Sequence, residues 1–178
     1  ITDSSMVKLG YIQDIQNILR QAELQADYFD DTIAEPTASS IDAGVDYIRK
    51  HQYDAIIAVG GGSVIDSAKA MSILGPHGGK IRDYRFPRQV NITGLPLIAV
   101  PTTAGTGSEA TQFTVISDDH SHEKMLCVGS GFMPIAAVID YELTLSLPAR
   151  TTADSGMDAL THAIEAYVSQ KANPYSDA

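Results

Sequence analysis

Apolar residues recur with helical spacing in several parts of the chain. Between positions 8 and 26 they fall three and four residues apart, at Ile12, Ile15, Leu19 and Ala22. Such spacing places them on one face of a helix, and it recurs over 41–48. A further helix is predicted from Val64 to about Ser72, ended by "PHGG" at 76–79. The pattern therefore predicts amphipathic helices that each cover one side of a core.

Two continuous apolar runs, "YDAIIAV" at 53–59 and "LPLIAV" at 95–100, are typical of strands buried on both faces of a parallel sheet. Shorter strand candidates are Tyr28 with Phe29, "QFTVIS" at 112–117, "MLCVG" at 125–129 and "IAAVID" at 135–140. Strands that alternate with helices predict an α/β fold, doubly wound around a mostly parallel sheet.

The pattern changes near Leu147. The stretch "SLPARTTADSGMDALTHAIEAYVSQ" has no strand pattern, and Thr151 and Thr152 are candidate helix caps. We therefore expect an α/β nucleotide-binding domain over 1–147 and the beginning of an all-helical domain over 148–178.

Charge and composition exclude several classes of partner and location. The net charge of −10 disfavours nucleic acid and anionic membrane surfaces as partners. Cys127 is the single cysteine, so no internal disulfide forms, and no apolar stretch reaches the ~20 residues of a membrane span. The first residues lack a secretory signal pattern. These features predict a soluble cytoplasmic protein.

Three glycines in "AVGGGSVIDSAKA", residues 58–70, lie between a predicted strand and a predicted helix. Backbone N–H groups and the helix dipole converge there, which indicates an anion site suited to phosphate. Neither G-x-G-x-x-G nor a Walker A sequence is present, so a tight turn without a ligand remains the alternative. Asp66 lies on the first helical turn, where it either caps the helix or contacts a ligand.

A second loop, "PTTAGTGSE" at 101–109, follows the second buried strand. Alone it is an ordinary loop rich in turn formers. The carboxyl ends of parallel strands lie at one edge of a sheet, and ligands bind in the crevice there. The two loops together therefore indicate a nucleotide site.

The third motif is "GMDALTHAIEAY", in which Asp158 and His162 are four residues apart and share a helix face. This pair could occupy two coordination positions of a metal ion. The alternative is a solvated face, because Leu160, Ile164 and Val168 form an apolar stripe on the opposite side.

"GGGSVIDSAKA", "PTTAGTGSEAT" and "GMDALTHAIEAY", in this order, closely resemble the iron-containing (group III) alcohol dehydrogenases, and the resemblance extends over essentially the whole chain. It implies an N-terminal domain that binds a nicotinamide dinucleotide, an all-helical C-terminal domain, and a catalytic divalent metal in the cleft between them.

The resemblance also assigns residues. It implies that the cofactor is held by Asp3, Gly61, Gly62, Ser63, Asp66, Thr102, Thr103, Thr106 and Lys124. Asp158 and His162 match two catalytic metal ligands, for Fe²⁺ or for another divalent ion such as Zn²⁺. Asp3 would lie near the adenosine ribose, so NAD is expected in preference to NADP.

The implied reaction interconverts a primary or secondary alcohol and its aldehyde or ketone, by hydride transfer at a metal-bound alkoxide. Rival interpretations are a zinc-dependent glycerol dehydrogenase, a dehydroquinate synthase-like relative, and a non-catalytic nucleotide-binding module. We expect a homo-oligomer, a dimer or larger. We also expect a longer enzyme, because "ITD" at 1–3 resembles the end of a strand and two further histidine ligands are expected after Ala178.

Overall fold

The computed structural model describes residues 1–177. A helix joins the first two strands, as predicted, whereas the three later strands follow one another without an α-helix between them. Single 3₁₀ turns occur at Ile81–Tyr84, Ser108–Ala110, Ser130–Phe132 and Tyr141–Thr144. The longer elements are α1 (Ser4–Lys8), α2 (Tyr11–Gln21), α3 (Ala38–His51), β1 (Ile56–Gly60), α4 (Gly62–His77), β2 (Leu97–Pro101), β3 (Phe113–Ser117), β4 (Lys124–Val128), β5 (Ala136–Ala137) and α5 (Ala149–Val168).

A parallel sheet with the strand order β1-β2-β5 forms the centre of the fold. Ile56 lies opposite Leu97 at one end of the β1–β2 ladder, and Gly60 lies opposite Pro101 at the other. The two continuous apolar runs are thus confirmed as neighbouring parallel strands. Since β1 and β2 end at the same level, the loops that follow them leave the same edge of the sheet.

Apolar side chains cover both faces of this sheet, as their alternation along β1 requires. Ile56 and Ala58 pack into the larger core with α3 and α4, whereas Val59 packs with Met6 and Ile12 on the opposite face. This arrangement confirms the doubly wound α/β class.

The strands β3 and β4 form a separate antiparallel hairpin instead of joining the parallel sheet. Its inner face is buried through Ile116, Met125 and Cys127, while Phe113 and Val115 on the outer face are exposed. Ser117 N–H donates to the Pro36 carbonyl at 2.8 Å, which ties the hairpin to the segment before α3.

Two local predictions are wrong. The single helix over 8–26 is divided at Gly10, whose φ of 87° only glycine adopts readily, and α2 ends at Gln21. No strand forms at Tyr28 and Phe29. Their carbonyls accept single hydrogen bonds, from the Tyr47 hydroxyl and from Thr2 N–H, instead of taking part in a ladder.

Helix α5 begins at Ala149 with Pro148 as its N-cap, so Thr151 and Thr152 lie inside the helix and the predicted caps are wrong. The Thr152 hydroxyl donates to the Pro148 carbonyl. Over the described residues no α5 side chain is buried. Among residues 1–177, no helix has both the length and the hydropathy needed to cross a membrane.

Candidate active site

A cleft of about 820 Å³ opens at the sheet edge where β1 and β2 end, which is a volume typical of ligand pockets. The N-terminus of α4, the loop at 105–111, the outer face of the β3–β4 hairpin, the segment 34–36 and α5 form its walls. Elements distant in sequence therefore converge on one concave surface.

The cleft contains seven of the residues predicted to bind cofactor or metal, namely Gly62, Ser63, Asp66, Thr106, Lys124, Asp158 and His162. Four others lie outside its lining: Asp3, Gly61, Thr102 and Thr103. Thr102 is buried, and Thr103 packs over Gly61. The Asp3 carboxylate caps α1 by accepting from Ser5 N–H at 2.7 Å and Met6 N–H at 3.2 Å.

The glycine loop packs directly against the second loop. A Cβ on Gly61 would lie 3.1 Å from the Thr103 methyl carbon, and one on Gly62 would lie 2.6 Å from that of Thr106. The space that these glycines leave is therefore occupied by threonine side chains, a role that the sequence motif alone does not predict. The close approach places Thr106 beside the half-buried N-terminal turn of α4.

Asp66 links α4 by hydrogen bonds to the second loop and to the β3–β4 hairpin. One carboxylate oxygen accepts from the Ser108 hydroxyl at 2.6 Å, and the other accepts from Val115 N–H at 3.0 Å. Burial raises the pKa of Asp66, although these two hydrogen bonds and nearby Lys69 oppose the shift. The contacts observed for Asp66 are thus to the protein itself, on the wall of the cleft.

Lys69, which was not among the predicted site residues, is fully buried one turn farther along α4. Its ammonium group donates to the Thr111 carbonyl at 2.9 Å, the Phe113 carbonyl at 2.7 Å and the Thr111 hydroxyl at 3.2 Å. Burial lowers the pKa of Lys69 to about 8, against the opposing effect of Asp66 and Glu109. The sequence signal was a lone lysine within an otherwise small and apolar helical stretch.

The segment 34–36 also contributes to the cleft without a signal in the sequence pattern. The Ser63 hydroxyl donates to the Ala34 carbonyl, and Glu35 and Pro36 line the cleft beside it. No local pattern in the sequence predicts this contact, because it joins residues 29 positions apart.

Asp158 and His162 face the cleft from α5, with side chains 42% and 52% exposed. The nearer Asp158 carboxylate oxygen lies 3.8 Å from His162 Nδ1, so the two side chains are neighbours on the cleft wall. His162 Nδ1 also lies 3.4 Å from the Gly105 carbonyl oxygen. Across residues 1–177, no group of three His, Cys, Asp or Glu side chains is placed to hold a metal.

The first 141 residues match the family profile described as iron-containing alcohol dehydrogenase. Residues 152–178 match the profile described as Fe-containing alcohol dehydrogenase family, C-terminal. Alcohol dehydrogenase 4 of Schizosaccharomyces pombe is 40% identical over 178 residues, which is all of this chain and 42% of that protein.

Solved structures of similar proteins superpose closely on this chain. A 1,3-propanediol oxidoreductase superposes with a TM-score of 0.94 at 36% identity, over 99% of this chain and 46% of that one. Sulfoacetaldehyde reductase from Bifidobacterium kashiwanohense, in complex with NAD⁺, gives 0.90 at 36% identity, over 97% and 46%. The chain thus spans about half the length of the relatives it matches.

Proposed function

The chain belongs to the iron-containing alcohol dehydrogenase family, and on that premise we propose that it is part of an oxidoreductase that interconverts an alcohol and its aldehyde or ketone. The observation that carries the proposal is that the α4 N-terminus, Lys124, Asp158 and His162 all line the same cleft. The similar proteins described above do not favour the alternatives, a zinc-dependent glycerol dehydrogenase or a dehydroquinate synthase-like enzyme.

The cofactor is NAD in this proposal. The backbone N–H groups of Gly62 and Ser63 at the start of α4 are suited to a pyrophosphate, and Lys124 adds a positive charge in the same cleft. Asp66 and Thr106 border that position. Thr103 supports it by packing over Gly61, and Thr102 supports it through its N–H, which donates to the Gly60 carbonyl at 3.0 Å. The NAD⁺ bound by the sulfoacetaldehyde reductase supports this choice.

Asp158 and His162 supply two ligands of a divalent metal, and their carboxylate and imidazole donors suit Fe²⁺ or Zn²⁺. Iron is proposed because of the family, not because of this donor pair. When bound, the metal acts as a Lewis acid that polarises the substrate carbonyl. The cleft brings these ligands to the same surface as the nucleotide-binding loops, where a substrate can lie between them.

A division of the chain after Leu147 remains part of the proposal, supported by the start of α5 at Ala149. A cytoplasmic location and a homo-oligomeric assembly also remain predictions.

We expect the full-length protein that carries this chain to oxidise NADH when an aldehyde and Fe²⁺ or Zn²⁺ are added. The test combines three measurements: NADH fluorescence on binding, metal content per subunit, and loss of NADH absorbance with short-chain aldehydes. A protein that binds NADH, purifies without metal and turns over no aldehyde with any added ion would be a nucleotide-binding module, and the proposal would be wrong.

NAD should be used in preference to NADP. A carboxylate near the adenosine ribose can accept hydrogen bonds from its 2′-hydroxyl and repels a 2′-phosphate. The Asp3→Ser variant removes this charge but retains an N-cap side chain for α1, so its fold is preserved. We expect the ratio of kcat/KM for NADH over NADPH to exceed about 10 in the wild type, since one repulsive contact of ~1.4 kcal/mol has that effect.

In Asp3→Ser the ratio should fall towards 1. A wild type that prefers NADPH, or a ratio unaffected by the substitution, would exclude Asp3 as the discriminating residue.

A further inference from the structure

Gly105 is the point at which the second loop touches α5. A Cβ on Gly105 would lie 2.6 Å from the Ser155 carbonyl oxygen, and 3.1 Å and 3.2 Å from the Ser155 Cα and carbonyl carbon. All three are backbone atoms of a helix, so no side-chain rotation can relieve the overlap. A side chain at position 105 therefore requires the loop and the helix to separate.

The φ of Gly105 lies outside the left-handed range, so the backbone conformation does not itself demand glycine. Gly107 is the reverse case: its φ is 63°, but no heavy atom of the described residues lies within 4 Å of a Cβ built there. Contact with α5, rather than a turn, accounts for glycine at position 105.

This contact lies between the two halves of the candidate active site. On one side, Gly105 precedes Thr106, whose side chain packs over Gly62 at the start of α4. On the other side, Ser155 lies three residues before Asp158 and seven before His162, which places all three on one helix face. The Gly105 carbonyl oxygen is also 3.4 Å from His162 Nδ1. A continuous series of contacts therefore joins the nucleotide-binding loop to the metal-binding helix.

We propose that Gly105 is a positioning residue that sets the distance between the nucleotide-binding loops and the α5 helix that carries Asp158 and His162. The inference rests on the proposed function. Hydride transfer requires the two reacting carbons to lie about 3–3.5 Å apart, and a misplacement of 1 Å can lower the rate about 100-fold. An added methyl group at position 105 must move by roughly 0.8 Å to reach ordinary van der Waals contact.

The test compares Gly105→Ala with Gly156→Ala in the full-length protein. Gly156 follows Ser155 on the same helix, and a Cβ there would meet no heavy atom of residues 1–177 within 4 Å, so this control adds the same methyl group without a clash against the described part of the chain. For each protein we would measure the NADH dissociation constant, metal content, kcat, and the isotope effect on kcat with NADH deuterated at C4.

In Gly105→Ala we expect kcat to fall about 100-fold and the isotope effect to rise, because hydride transfer becomes slow. NADH affinity and metal content should stay within about threefold of the wild type, since each site is intact and only their separation changes. Gly156→Ala should match the wild type in all four measurements.

Wild-type kcat in Gly105→Ala would overturn the inference. So would loss of NADH binding or metal, because Gly105 would then be needed to build one site rather than to space two. A wild type that neither binds NADH nor reduces an aldehyde would overturn the proposed function itself, and that failure is seen before any variant is compared.

Discussion

Replacing Asp158 or His162 with alanine is expected to remove the divalent metal and to lower kcat/KM by more than about 100-fold in the full-length protein. Loss of a residue that merely orients a ligand typically costs 10–100-fold in metal affinity or activity, so loss of a ligand should cost more. Metal content by mass spectrometry and aldehyde reduction with NADH measure the two effects. NADH binding should persist, because Gly62, Ser63 and Lys124 are unchanged.

Asp154→Ala is the matched control, since Asp154 also lies on α5 but pairs with Arg150 at the surface. Exposed ion pairs contribute little to the free energy of unfolding, so this variant should keep its metal content and its kcat/KM within about twofold of the wild type. If Asp158→Ala and His162→Ala both retain one metal per subunit and normal turnover, these residues are not ligands and the solvated-face interpretation of α5 is correct.

The sequence predicted the sheet edge well because local pattern determines it. Two short continuous apolar runs are typical of strands buried on both faces, and each is followed by a loop rich in glycine and hydroxyl groups. Parallel pairing then brings the loops to one edge, as the register from Ile56–Leu97 to Gly60–Pro101 confirms. The i, i+4 spacing of Asp158 and His162 likewise fixed their common helix face.

The interior of the site was not predictable in the same way. Asp66 and Lys69 bind residues 42 to 49 positions farther along the chain, and hydropathy gives no partner for a buried charge. Tyr28 and Phe29 have strand propensity, but two residues cannot establish an alternation, and isolated hydrogen bonds to their carbonyls prevailed over a ladder. At these positions, contacts with residues distant in sequence therefore determined the structure, and local secondary-structure propensity did not.

Lys69→Met is expected to lower the free energy of unfolding by about 2–4 kcal/mol, because methionine keeps the apolar stem but leaves the Thr111 and Phe113 carbonyls without their donor. It also leaves Asp66 without the nearby positive charge that opposes the shift in its pKa. Urea unfolding measures the loss, and Lys50→Met on the exposed surface of α3 is the matched control, expected to stay within ~0.5 kcal/mol of the wild type.

The pH dependence distinguishes a buried lysine from an ordinary packing defect. Because the pKa of Lys69 is lowered to about 8 in the folded state, the unfolded state binds more protons between about pH 8 and pH 10.5. Stability contributed by this group therefore rises with pH over that range, and Lys69→Met lacks the contribution. The difference in unfolding free energy between wild type and Lys69→Met should widen from pH 7.5 to pH 9.5, while that for Lys50→Met stays constant. A constant or narrowing difference for Lys69→Met would mean that the burial of this ammonium group does not lower its pKa.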